Sequence, residues 1–298
     1  MWLLVGLCGY AVNSVVSILD KYVLDKAVGK PAVFTFLTCI PAALALLLVP
    51  WSGFLAMQTD YWVALLAGVA MVLGLWASYI GIQKSEISHI GPLIGATVPV
   101  FIFLWGRLFL GEYYQPVQIM AIIFLVCGSL FIAGEKSSAH QGFHSGIAWG
   151  ILGGFLWSIF GASSKYLYVH NDFFSGFVWS QGIAGLVAML LIFLPAVRRA
   201  LKKSKNPAES VRGKKLTLVI VDKVLGVIGL TLVQYAVALG SATLVYALAG
   251  VQYAILVIAV ALLSKFHSKL YRETYEKGEL IQEVLAVIFI AGGLALLV

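Results

Sequence analysis

The chain of 298 residues is predicted to be an all-α integral membrane protein, with ten transmembrane helices in two inverted five-helix repeats. Three observations predict this. Hydrophobic residues make up 61% of the chain and charged residues 11%, with a mean hydropathy of +0.97. A typical soluble domain carries about 45–50% apolar and about 25% charged residues. Apolar runs recur along the chain, and spanning the bilayer takes roughly 20 such residues as a helix. Five residues of the first run also recur 144 positions later, in the sixth run.

The composition excludes other classes. Disorder requires low hydrophobicity. A disulfide framework needs more than Cys8, Cys39 and Cys127, which lie far apart in apolar runs. The net charge of +7 could suggest nucleic acid, but the basic residues sit between apolar runs, which reads as control of orientation.

The ten spans follow in order: about 2–22, 32–50, 61–83, 89–110, 116–134, 146–165, 173–195, 216–239, 242–264 and 280–298. Barrel strands would be about ten alternating residues, so runs this long are helices. Each must pair its own backbone groups, because lipid offers no partners. The first run starts Met-Trp-Leu-Leu without a basic segment and continues to full length, so it reads as a helix and not as a cleaved signal. The fourth contains Gly91-Pro92 and Pro99, which weaken it and make it a candidate bending element. Between the seventh and eighth runs, 196–215 reads as a loop holding eight of the twenty basic residues. A second charged stretch, 265–278, follows the ninth run.

The repeat pairs Gly6, Gly9, Ser14, Lys21 and Tyr22 with Gly150, Gly153, Ser158, Lys165 and Tyr166. It divides the chain into units 1–135 and 146–298 joined by the polar linker 136–145. Five helices reverse the chain direction, so the second unit is inverted, as in many secondary transporters whose substrate site lies near the midplane. Assigning loops alternately to two faces puts 17 basic residues on one and two, Arg107 and Lys165, on the other. The positive-inside rule makes the basic face cytoplasmic and puts both termini outside, on a multi-pass protein of the cell membrane.

Polar groups inside lipid are costly and are candidate functional groups. Asp222 and Lys223 stand out, about 12 Å of helix beyond Lys215. Neighbours point about 100° apart on a helix, so the two are expected to face different ways. Asp222 would serve as a proton or cation site, and Lys223 would meet a substrate carboxylate or snorkel to the interface. Asn13 and Ser14 are expected to face Trp157 and Ser158 across a pseudo-axis, as a cavity floor or as a helix–helix hydrogen bond. Trp76, Tyr79, Gln234, Tyr235, Tyr246, Gln252 and Tyr253 form an aromatic and amide set suited to a small organic ligand, with packing as the alternative. Lys84, Glu86 and His89 make a turn or a gate. Lys21 and Lys165 end their helices, where a cation complements the dipole. Gly91 and Gly95, like Gly146, Gly150 and Gly154, are spaced for close helix contact.

The stretch Ile87-Ser-His-Ile-Gly-Pro-Leu-Ile-Gly-Ala-Thr-Val-Pro-Val-Phe101, with Leu110-Gly111-Glu112 at its exit, resembles the helix-four signature of EamA-type permeases in the drug/metabolite transporter superfamily. In the second half, 240–253 holds the equivalent place, with Tyr246 and Tyr253 standing where Pro92 and Pro99 stand. Leu-Gly-Glu is missing there. The resemblance implies a carrier of small organic metabolites or drugs, whose cavity is lined by helices 1, 3, 4, 6, 8 and 9. Nothing acidic lies deep in helix one, against proton-coupled drug antiport of the small multidrug type.

No nucleophile elbow, phosphate-binding loop or zinc spacing is found, so neither an enzyme nor a cofactor is expected. The expected function is a permease working by alternating access. The binding residues would be Asn13, Trp76, Tyr79, Trp157, Ser158, Asp222, Lys223, Gln234, Tyr246 and Gln252. Expected partners are a small-molecule substrate and the lipid bilayer, with no nucleic acid; a homodimer stays open. The alternatives are a lipid-handling, flippase-like protein using the basic loop, or a membrane scaffold.

Overall fold

The computed structural model describes residues 1–23, 30–85, 87–133, 145–203, 213–256 and 277–297. The linker 136–145, the charged stretch 265–278, Glu86 and the side chains of Lys21 and His89 lie wholly or largely outside that set. Among the described residues every regular element is helical.

Helix α1 is Trp2–Val23. Helix α2 begins at Pro31–Cys39 and tightens into a 3₁₀ stretch over Ile40–Leu48, ending in a turn at Val49–Ser52. Pro31, Pro41 and Pro50 each stand at or next to the start of one of these segments, where a missing N–H costs least. Then come α3 Gln58–Lys84, α4 Ile87–Phe109, α5 Pro116–Ala133, α6 Ser145–His170 and α7 Phe173–Leu190. Helix α8, Pro195–Lys203, is short; α9 is Gly213–Leu239, and α10 starts as Ala242–Ala247. The apolar helical stretch begun by α10 is described as far as Leu256. Helix α11 is Lys277–Ala295.

Among the described residues eight helices are long and apolar enough to cross a membrane, and they coincide with the first eight expected spans. The ninth and tenth appear as shorter apolar helices, Ala242–Leu256 and Leu285–Ala295. Large apolar side chains such as Leu44, Leu104, Ile123 and Val227 face outward, while Ser158, Ser164, Gln234 and Asp222 are buried. That distribution suits a lipid surround, which favours apolar contact outside and leaves polar groups to pair within. The protein is a multi-pass membrane protein.

One expected loop is corrected. Residues 195–203 form α8, because Pro195 starts a helix and Val197, fully buried, anchors it. Its basic residues follow the apolar anchor in an amphipathic pattern suited to the membrane interface.

Glycines decide the close crossings. A Cβ on Gly9 would stand 3.0 Å from Val233 N, and one on Gly6 would stand 3.6 Å from Ala236 Cβ, so α1 lies antiparallel on α9. Likewise a Cβ on Gly153 would stand 3.3 Å from Ser78 N and one on Gly81 3.3 Å from Gly150 N, which sets α6 antiparallel on α3. Helix α2 packs on α7 through Gly182 and Gly185, and α5 on α11 through Gly128 and Gly293. These contacts gather the ends of α1 and α3 with the starts of α2 and α9 at one end of the molecule, the basic face. The ends of α4, α6 and α9 meet at the opposite face.

Candidate functional site

At the basic-face end, Lys223 reaches back from the third turn of α9 to Asp20 near the end of α1. Its Nζ lies 3.0 Å from Asp20 Oδ1 and 2.8 Å from Asp222 Oδ2. The same Nζ stands 4.1 Å from the centre of the Phe34 ring, which packs 4.7 Å from Tyr79. Tyr79 Oη donates to Asp20 Oδ2 at 3.0 Å. Asp222 is 0% exposed. Its contact with Lys223 is an ion-pair distance without hydrogen-bond geometry, and neither carboxylate oxygen has a hydrogen-bond partner among the described residues.

Two expectations change here. Asp222 and Lys223 were expected to diverge; the long lysine stem bends back so that both join one cluster with Asp20. Helix α9 also starts ten residues before Lys223, about 15 Å of helix, so Lys223 does not stand at the beginning of its helix.

Toward the opposite end of α9, Gln234 is buried and bonded at both ends of its amide. Its Oε1 accepts from Tyr168 Oη at 3.0 Å and its Nε2 donates to Tyr246 Oη at 2.9 Å. Tyr10, Tyr246 and Tyr253 share one buried cluster, and Tyr10 Oη has no hydrogen-bond partner among the described residues. Gly91 and Gly95, expected to serve helix contact, form a flat seat for the Tyr253 ring; a Cβ on Gly91 would stand 2.9 Å from it. Pro99 has no N–H, so the Gly95 carbonyl under that ring lacks its usual helical partner. Gln252 Nε2 donates to Ser17 Oγ at 3.0 Å.

The remaining expected residues are dispersed. Asn13 meets Gly229 of α9, and Trp157 meets Gly74 of α3, so each packs on the third helix of the other half. Ser158 Oγ bonds Phe155 O at 2.6 Å and accepts from Trp105 Nε1 at 3.0 Å. Trp76 packs partly buried against the Ala67, Ala70 and Met71 cluster. The structure thus unites Tyr79, Asp222 and Lys223, and separately Gln234 and Tyr246.

At the opposite face, Gly111 adopts φ +62°, a left-handed turn that suits glycine and returns Glu112 to the bundle. Glu112 Oε1 accepts from Ala242 N at 3.0 Å; Oε2 accepts from Ser241 Oγ at 2.8 Å and from Tyr114 Oη at 2.5 Å. A carboxylate on the first amide of α10 satisfies an orphan donor at the positive helix end. Lys165 Nζ donates to Gly240 O at 2.7 Å and Val237 O at 3.0 Å. Lys165 was expected to complement its own helix; instead it caps the carbonyl end of α9. Burial and the Glu112 carboxylate hold the Tyr114 phenol well above its ordinary pKa, so it stays protonated as a donor.

Sequence reasoning missed Asp20, Phe34, Tyr10, Tyr168 and the partners of Glu112. Asp20 was legible as an acid near a helix end, but nothing local joined it to Lys223, 203 positions away. Between α3 and α7 an apolar groove of about 470 Å³ opens outward, lined by Tyr61, Trp62, Leu65, Ile183, Leu186 and Leu190. Among the described residues no group of three His, Cys, Asp or Glu side chains could hold a metal.

No curated protein matches the chain. A protein of known crystal structure is similar over 99% of this chain and 94% of its own, at a TM-score of 0.62 and 15% identity, a likeness that shows the fold. Residues 1–134, the first five helices, match the model of the EamA-like transporter family.

Proposed function

We propose that the protein is a secondary carrier moving a small organic molecule across the cell membrane by alternating access, built from inverted five-helix repeats 1–135 and 146–298. The observation that carries this reading is a duplicated set of contacts. Gly6 with Ala236, Gly9 with Val233 and Asn13 with Gly229 recur as Gly150 with Gly81, Gly153 with Ser78 and Trp157 with Gly74. The α1 and α6 members differ by 144 positions, and the α3 and α9 members by 155. The larger offset accords with the longer connection between α7 and α9. Each half packs its first helix on the other half's third helix. Two such equal contacts support a molecule that can rock between two states about a central site. The family match over 1–134 supports transport as the activity.

In this reading the termini lie outside the cell, and the Asp20 cluster guards the cytoplasmic mouth. Polar residues inside the bundle, Asp222 and Gln252 above all, contact the cargo. The test is uptake and efflux in proteoliposomes with a panel of amines, sugars, nucleosides and organic acids. Protein-dependent flux, abolished in Asp222→Ala and Gln252→Ala with the protein still monodisperse, is the expected outcome. Full flux in both variants, or flux of no solute, overturns the reading. The open groove between α3 and α7 favours lipid handling as the second reading, which predicts movement of a labelled phospholipid between leaflets in the same vesicles.

A further inference from the structure

We propose that Asp20 and Asp222, walled by Phe34 and Tyr79, form a binding site for a primary ammonium group, held in this conformation by Lys223 as an internal stand-in that a cargo ammonium displaces. The inference deepens the carrier reading and rests on it only in taking the displacing molecule to be cargo.

The geometry is that of ammonium recognition. Two carboxylates meet Nζ at 3.0 and 2.8 Å, and a ring face covers it at 4.1 Å. Charge-assisted contacts and cation–π attraction are the forces that select an ammonium over a neutral group. Among the described residues the cluster holds two acids against one base, an excess of negative charge. Lys223 is therefore fully committed, and an entering carboxylate would meet repulsion. This reverses the expectation that Lys223 pairs with a substrate carboxylate.

Asp222 adds a second reason. Its Oδ1 is buried and has no hydrogen-bond partner among the described residues. An ammonium offers three N–H donors, and a free ligand, not tethered to α9 as Lys223 is, can turn one of them onto that acceptor.

Lys223 is able to leave. Its side chain and that of Asp20 are each 18% exposed, so the cluster opens toward the basic face. A four-carbon stem can snorkel in that direction along α9. Exchanging one cation for another never leaves two carboxylates bare in an apolar site, which would be strongly unfavourable.

The experiment is a thermal-shift titration of the purified, detergent-solubilised full chain with n-butylamine and 1,4-diaminobutane, matched against n-butanol and butyrate. The amines should raise the melting temperature with concentration, and the alcohol and acid should not. Lys223→Met removes the internal competitor and should tighten amine binding by about 10-fold, if the stand-in holds the site about nine-tenths of the time. Asp222→Asn should lose the amine effect. Unchanged or weaker amine binding in a folded Lys223→Met protein overturns the proposal, as does stabilisation by butyrate that Lys223→Met removes. Should Lys223→Met not fold, Phe34→Leu keeps every charge and should weaken amine binding about 2–5-fold; no change there overturns the proposal. Vesicle flux separates the two readings. Protein-dependent flux of a neutral or anionic solute without amine binding upholds the carrier and overturns the ammonium site. Amine binding without flux of any solute upholds the site and overturns the carrier.

Discussion

In the proposed inverted repeat the two ends of the bundle are built from corresponding helices, yet they treat charge in opposite ways. By the offsets that relate the halves, Asp20 corresponds to Ser164, Tyr79 to Gln234, Asp222 to Ala67 and Lys223 to Gly68. At the basic face these positions form an ion cluster with an acid in excess. At the opposite face they are neutral and closely packed: Gly68 leaves room for Ala184, and Gln234 spends both ends of its amide on tyrosines. Of the charges there, Glu112 and Lys165 are spent on helix ends, and Asp60, buried at the start of α3, accepts from Asn171 Nδ2 through Oδ2 while its Oδ1 has no hydrogen-bond partner among the described residues. Among the described residues unpartnered buried oxygens occur at both ends, Ser164 Oγ and Asp60 Oδ1 at one and Asp222 Oδ1 at the other, so what separates the ends is the excess of acid. Under the ammonium-site proposal that excess makes the basic end the binding end.

The sharpest way to break that assignment is to neutralise one acid at each end. Asp222→Asn removes a buried charge that no hydrogen bond compensates, so transport should fall at least about 100-fold while the melting temperature holds or rises, the expected trade between function and stability. Glu112→Gln should do the reverse. It turns charge-assisted bonds, worth about 1.5–3 kcal/mol each, into neutral ones worth about 0.5–1.5, so the melting temperature should fall by several degrees while measurable transport persists. Paired thermal-shift and vesicle-flux measurements decide the matter; a destabilised Asp222→Asn with intact flux would erase the distinction between the ends.

Gln234 tests the neutral counterpart of the Asp20 site. Gln234→Leu strands the Tyr168 and Tyr246 hydroxyls in a dry interior, and each such loss costs about 1–3 kcal/mol. Denaturation in mild detergent should show a loss of about 2–6 kcal/mol by this principle. A gain in stability would mean that this network is held open for a ligand, like the ion cluster. Gly95→Ala has a related effect, since its Cβ would collide with the Tyr253 ring and tilt α10 away from α4.

The helices were legible because each apolar run must satisfy its own backbone, which leaves run length as a direct measure of the span. Tyr79, Asp222, Lys223, Gln234 and Tyr246 were legible because a polar group in such a run is conspicuous. What sequence withheld was pairing. Lys165 at the end of α6 has the composition of a dipole cap, but local spacing cannot say that the carbonyls belong to α9. Gly91 and Gly95 advertise a smooth face without saying whether a helix or the Tyr253 ring lies on it. Asp222 and Lys223 looked divergent because helix geometry fixes Cβ directions, not where a flexible lysine stem ends.

The smallest effect expected is at Asp172, on the same end as Glu112. Asp172 is the N-cap of α7; its Oδ1 accepts from Ser175 N at 3.0 Å and its Oδ2 from Ser175 Oγ at 2.5 Å. Slight burial pushes its carboxyl upward, but hydrogen bonds from the Ser175 hydroxyl, the Ser175 amide and the Phe174 amide outweigh that and hold it below the ordinary value. A lowered folded-state value means that the stabilisation is present above the unfolded carboxylate pKa of about 3.9 and is lost as pH falls through the folded one. Asp172→Ala should cost about 1 kcal/mol, the usual worth of a cap. The melting-temperature gap between wild type and variant should be constant from about pH 5 to 7 and close below about pH 4. A gap that widened with acid would mean that the protonated carboxyl is the better cap. That end would then draw its stability from neutral hydrogen bonds and not from charge.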